Sequence, residues 1–344
     1  MNDFFVDASL SNPFRGSAGV QLPPSPEGQG GYSINPAMKI PYSTQWDLSV
    51  QRQLPMELLF DVSYVGSNSV KLLQSRTENQ AIPGPGPVQP RRPFPNYSAV
   101  TWDDNGAPSN YNGLSLKLQK RYAAGLSFLT SYTWSHNLDI WSTERNGTSS
   151  GPQDPLNWRS DYATSSADLR HAFLLSGVYD LPFGHGKRFW NTGLASRLLG
   201  NWEWSGIVGL YSGQAINATL GFDNASLGRA GGQRPNLIGN PAISNPGPTG
   251  WFNKAAFAAP AQFTFGNAGR NIMTGPPLHN LDMSVLKNFP IAERRNLQFR
   301  AEFFNAFNLV NFNNPNTTFN SPDFGVITSA KASRSIQLSL KLNF

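Results

Sequence analysis

Residues 334–344 read RSIQLSLKLNF. From Ser335 onward, polar residues alternate strictly with apolar ones, and the last residue is an aromatic. A period of two marks a β-strand with one polar and one apolar face. Ser335, Gln337, Ser339, Lys341 and Asn343 fall on the first face. Ile336, Leu338, Leu340, Leu342 and Phe344 fall on the second. The run spans about ten residues, the length with which a tilted strand crosses a hydrocarbon core. Strands of soluble domains are nearer five or six.

The same pattern recurs along the chain, over 44–53 (TQWDLSVQRQ), 56–66, 111–122 (YNGLSLKLQKRY), 126–136, 170–181, 201–213, 280–289 and 296–307. That predicts about nine strands in all. The connections sort by length in alternation. Residues 54–55, 123–125 and 290–295 are short, and 67–110, 137–169, 214–279 and 308–333 are long; 182–200 is intermediate. A soluble sandwich has no reason to sort its loops this way. A transmembrane barrel does, with short periplasmic turns and long extracellular loops. With Phe344 at the periplasmic rim, every short connection falls on that side. Trp46 and Trp134 then lie at outer strand ends, and Tyr122, Trp202, Trp204 and Phe344 at inner ends, as aromatic girdles require.

Composition agrees. Charged residues make up 14% and hydrophobic ones 39%, against roughly 25% charged in an average soluble domain. Gly 32 and Pro 27 indicate many turns and long irregular loops. No apolar stretch is long enough for a membrane-spanning helix. The best helical candidate is the short GLASRLLG at 193–200. Cysteine is absent, which excludes disulfides and cysteine-ligated metals. The net charge of +6 is modest, and no basic run exceeds the pairs Arg91-Arg92 and Arg294-Arg295; nucleic acid is not an expected partner. The opening MNDFFVDASLSNPFRGSAG does not read as a signal peptide. Either the protein is cytoplasmic or this chain is part of a longer product.

The expected fold is therefore all-β: an antiparallel up-and-down transmembrane β-barrel, partial, with its first and last strands as edges. Residues 1–43 are expected to be an extracellular loop segment and 44–344 the barrel portion. Leu114, Leu116, Leu118, Phe299, Leu338 and Leu340 are expected to point outward. Lys117, Gln119, Arg300, Glu302, Gln337 and Lys341 are expected to point inward. Asp282, Arg300 and Glu302 fall on the inward face of neighbouring strands, where an ion-pair ladder is one reading and a solvated lumen wall the other.

No motif points to catalysis or to a cofactor. GFDNASLGRAGGQRPN (221–236) is Gly-rich but lacks the Lys-Ser/Thr of a phosphate loop, and reads as a flexible surface loop. PGPGPVQPRRPFP (83–95) reads as polyproline-type or disordered. No Gly-x-Ser-x-Gly elbow occurs. His136, His171, His185 and His279 are isolated in sequence.

The C-terminal run resembles the assembly signal of bacterial outer-membrane proteins, carried by Ile336, Leu338, Leu340, Leu342 and Phe344. With PYSTQWDLSVQRQLP, SYTWSHNLD, DLRHAFLLSGVYDLPFG, LHNLDMSVLKNF and LQFRAEFFNAFNLVNF, the chain from about residue 12 to its end resembles the C-terminal barrel of TonB-dependent receptors of the Oar-like, acidobacterial kind. The resemblance implies a Gram-negative outer membrane, contact with its lipid and with the barrel-assembly machinery, and no enzymatic activity. Such receptors have about twenty-two strands around a plugged lumen. About nine strands, with no plug and no TonB box, imply a fragment whose link to TonB would run through a missing N-terminal part. Two functions follow: nutrient uptake of an unidentified substrate, or a surface or adhesion protein acting through its outer loops. A hydrolase would need a Ser–His constellation at the rim that the sequence does not offer.

Overall fold

The computed structural model describes residues 29–140, 142, 152–229, 231–292 and 295–344. The strands are β1 (Gln29–Ile34), β2 (Tyr42–Leu54), β3 (Leu58–Thr77), β4 (Tyr97–Ala123), β5 (Leu126–Asp139), β6 (Ala163–Thr164), β7 (His171–Asp180), β8 (Trp202–Tyr211), β9 (Ala215–Ile216), β10 (Asn236–Leu237), β11 (Phe257–Ala258), β12 (Met273–Thr274), β13 (Leu278–Ala292), β14 (Arg295–Phe304) and β15 (Ser335–Asn343). An α-helix, α1 (Gly193–Leu199), lies between β7 and β8.

Nine of these strands form a single antiparallel meander in the order β15-β14-β13-β8-β7-β5-β4-β3-β2. Each pairs with its neighbours along this path. Among the described residues, β2 and β15 are edges and the sheet does not close. Each of the nine wall strands overlaps one of the period-two runs of the sequence.

Register converts the pattern into two continuous faces. Leu116 sits opposite Val62 on one side and Tyr132 on the other. Phe299 pairs with Leu340, and Ala301 with Leu338. Lys117 pairs with Asp61 and Ser131 on the other face, and Glu302 with Gln337. Leu338 and Leu340 are 66% and 67% exposed. An apolar band this broad is not a water-facing surface.

Two wall strands run past the alternating stretches. β3 continues to Thr77 and β4 begins at Tyr97, so their ladder projects beyond the rest of the sheet. Past Gly66 the sequence alternation fails, and the ladder carries a bulge between Ser69 and Leu72, beyond which Gln74, Asp103 and Ala107 are buried. Lys71, in that bulge, has φ +59°. β1 adds to the projecting part of β4 in parallel, Gln29 to Ile34 against Tyr97 to Asp103. Of the expected outer segment 1–43, residues 1–28 lie outside the described residues; part of the remainder is this strand.

The connections separate to opposite ends. At the turn end, Ala124 and Gly125 join β4 to β5 with φ of +52° and +83°, the twist-matched two-residue hairpin. The long connections gather at the other end, the loop end. There they form the buried core: Ile216, Ala218, Phe252, Ala256, Phe257, Met273 and Phe324. Phe324 stands edge-on to Phe252 and Phe257, at 4.9 and 5.5 Å between ring centres.

Candidate functional site

Two surfaces can act on another molecule: the polar face of the wall and the cap that its long connections build at the loop end.

The polar face is the concave one. Gln119, Ser127, Ser176, Ser205, Ser284 and Glu302 line a hollow of about 550 Å³. Leu129, Val178, Ile207 and Phe304 line the same hollow beside the four serines. The register places Asp282, Arg300 and Glu302 on this face. Arg300 Nη1 approaches Glu302 Oε1 at 3.6 Å, with both side chains partly exposed; such a pair contributes only about 0–1 kcal/mol. Asp282 does not join them. Its carboxylate accepts from Asn280 Nδ2 and from the Asn305 backbone N–H, each at 2.8 Å. Arg300 and Glu302 thus form one weak pair, and Asp282 stands outside it. Ile336, Leu338, Leu340 and Leu342 share the apolar side of β15, Phe344 follows directly after it, and all five are exposed.

The cap contradicts two expectations of the sequence. The described residues of 221–236 are not a loose loop. Ala225, Leu227 and Gln233 are fully buried, and Arg234 is 4% exposed. The Asp223 carboxylate organises the turn by accepting the backbone N–H groups of Leu227, Gly228 and Arg229. Nor is 83–95 disordered. It holds a 3-10 turn at Gln89–Arg91, and Arg91 reaches Ser226 Oγ at 2.9 Å. Gln80 Nε2 donates to Leu227 O alongside. These loops order because each supplies the partners that the other's buried backbone needs.

Two arginines fasten the connection between β5 and β7 to the one between β8 and β13. Arg234 Nη2 lies 2.6 Å from Asp161 Oδ1, each side chain 5% exposed, and its Nε donates to Ala268 O at 2.8 Å. Gln153 completes the joint, accepting from the Arg234 backbone N–H and donating to Gly266 O. Arg270 pairs with Asp139 and donates to the Asp161 carbonyl. Burial pushes the Arg229 guanidinium down from its usual range, opposed by Asp223, Asp154 and Asp161. The sequence carried no signal for these partnerships, since Asp161 and Arg234 are 73 positions apart.

Gly266 shows how tightly the cap is packed. A Cβ there would stand 2.1 Å from Arg234 O and 2.4 Å from Pro235 O. The obstacles are backbone, so they cannot rotate away. Gly266→Ala should cost about 1–3 kcal/mol of cap stability, read as faster protease cleavage within 212–277 while the wall stays resistant. Unchanged cleavage would show that the strand of chain around Gly266 shifts freely.

Among the described residues, no three His, Cys, Asp or Glu side chains cluster as a metal site, and no helix is long and apolar enough to cross a membrane.

Residues 3–337 match the family described as outer membrane beta barrel domain. No curated protein sequence matches the chain. Among solved structures, the outer membrane transporter YddB of Escherichia coli aligns with a TM-score of 0.51 at 11% identity, over 93% of this chain and 34% of that one. The ferric enterobactin receptor PfeA of Pseudomonas aeruginosa aligns at 0.47 and 14%, over 92% and 34%. BauA, the ferric preacinetobactin receptor of Acinetobacter baumannii, aligns at 0.45 and 13%, over 88% and 29%. The chain thus spans about a third of the length of these proteins, and at such identity the likeness to YddB is one of fold. The chain belongs to the outer membrane β-barrel domain family, and its open nine-stranded meander is part of a wall spanning the outer membrane of a Gram-negative bacterium.

Proposed function

We propose that the chain is the C-terminal wall of a TonB-dependent receptor that takes up a bulky nutrient across the outer membrane, and that it has no enzymatic activity of its own. The observation that carries this reading is the open sheet with a polar, concave inner face and a folded cap at one end only. Unpaired edges at β2 and β15 call for further strands to complete a barrel. The plug and the TonB contact would belong to those further parts. The apolar band would meet lipid, and the cap would form part of the outer vestibule with residues 29–43 beside it. The test is growth on a panel of polymers, peptides and iron chelates, with the gene deleted and with TonB inactivated. Loss of one nutrient in both strains is the expected result. Normal uptake in the deletion strain, with a defect in cell contact instead, would favour the surface-protein reading.

We further assign Phe344 to assembly rather than to stability. The ring is 93% exposed at the turn end, so a polar substitute loses far less than the ~1.5–3 kcal/mol of a fully buried side chain. Phe344→Ser should reduce folded protein in outer membranes, seen by heat-modifiable gel mobility, yet refold nearly normally into lipid vesicles. An equal defect in vesicles would make Phe344 a stability residue; equal amounts in cells would remove the assembly role.

A further inference from the structure

The connection between β7 and β8 differs from the other turns. Residues 181–201 carry α1 and an aromatic arm in which Phe183 stacks on Trp190 at 4.7 Å. Leu194 and Leu198, four residues apart and so on one face of α1, are 75% and 66% exposed. Phe189 and Trp190 are also exposed. The buried residue of the helix is Ser196. A seven-residue helix does not hold itself in water, so its apolar side needs a partner.

Lys287 shows which side of the wall the helix occupies. By register Lys287 stands opposite Trp202 and Phe299, on the apolar face, where a cation is out of place. It is nevertheless 2% exposed. Its Nζ lies 4.8 and 4.9 Å from the ring centres of Trp202 and Phe289 and donates to Leu198 O in the last turn of α1. A cation at a helix C-terminus is favourable, and here it also satisfies an orphan carbonyl. The helix therefore packs on the apolar side of the wall at the turn end, with Leu194 and Leu198 continuing the apolar band. Residues 181–201 contain Lys187, Arg188 and Arg197 and no acid. Lys187 is taken by Asp180; Arg188 and Arg197 are exposed.

We propose that α1 and the arm before it lie in the periplasmic leaflet of the outer membrane. Leu194, Leu198 and Trp190 enter the acyl boundary, and Arg188 and Arg197 rest on anionic phospholipid headgroups. The occupant is lipid because the exposed leucines are continuous with the apolar band and the surrounding charge is basic, the make-up of an interfacial helix. The inference rests on the barrel wall and its orientation, not on transport, so its failure would leave the transport reading untouched.

The chain has no cysteine, so an introduced one is unique. A nitroxide is placed at Leu194→Cys in the full chain in outer membranes, with Leu338→Cys as the lipid reference and Ile238→Cys as the water reference. Measurements are made on material in which the Leu338 label reports lipid. Collisions with oxygen relative to a water-soluble nickel chelate should be several-fold more frequent at 194 than at 238, and lower than at 338, which lies deeper in the hydrocarbon. A water-like ratio at 194 would overturn the proposal, and so would shielding from both probes, which would mean a protein partner. In reconstituted vesicles, Arg188→Gln with Arg197→Gln should make the label at 194 shallower when phosphatidylglycerol is present but not in phosphatidylcholine alone. Equal depth in both would overturn the assignment to anionic lipid.

Discussion

Arg234→Ala should open the loop cap without unfolding the wall. The Arg234 and Asp161 side chains are each 5% exposed, so the substitution leaves a carboxylate buried without its counter-charge. Breaking a buried pair in this way costs about 3–5 kcal/mol. The Gln153 backbone N–H would still reach Asp161 Oδ2 at 3.2 Å, but a neutral donor replaces little of a lost cation. The Ala268 carbonyl loses its partner as well. Amide exchange is the natural readout. The Leu220 N–H, bonded to Gln233 O, and the Ile238 N–H, bonded to Ala256 O, should exchange faster by about two to four orders of magnitude, at one order per 1.4 kcal/mol. Amides of β13 and β14 should keep their protection. Uniform acceleration across cap and wall would mean that the two unfold together. An effect below about 1 kcal/mol would mean that water reaches the pair and screens it.

Leu116→Arg should destabilise the wall as strongly, through a different medium. Leu116 lies about seven residues from the turn that follows β4. At ~3.3 Å per residue and a tilt near 45°, that places it about 16 Å above the rim, close to the middle of the hydrocarbon. An arginine on the lipid face at that depth costs about 2–4 kcal/mol. The neighbouring Ser115→Arg, on the polar face opposite Ser63 and Thr133, should cost much less. A refolding titration into lipid vesicles compares the two. Equal costs, or no cost at 116, would contradict the assignment of faces.

The wall was legible because membrane strands obey a local rule. Each of the nine must put apolar side chains on one side and polar ones on the other, so a period of two appears in each run without knowledge of its partners. Neighbouring runs joined by short turns then pair by default, and the observed order follows the chain throughout. The rule fails where the solvent changes. Residues 67–77 and 97–110 extend β3 and β4 past the alternating region, and there Gln74, Asp103 and Ala107 are buried by contacts that distant segments supply.

The cap followed no such rule. Glycine, proline and polar residues in 83–95 and 221–236 suggested mobile loops, yet both segments are ordered against each other. The period of two assigned residues to the polar side and left their contacts open. Asp282, Arg300 and Glu302 share a side, and still Asp282 turns to Asn280 and Asn305.

From the sequence alone came the fold class, the order of the wall strands, their two faces and the sorting of turns from loops, because each follows from a repeating local pattern. The tertiary structure alone decided that the long connections fold into one packed cap, that Arg234 finds Asp161 and Arg270 finds Asp139, and that Lys287 is sheltered under α1. Those outcomes depend on which distant segments meet at one end of the sheet. Burial makes each meeting consequential, since a charge taken out of water must find a particular partner, and nothing in a residue's own neighbourhood names that partner.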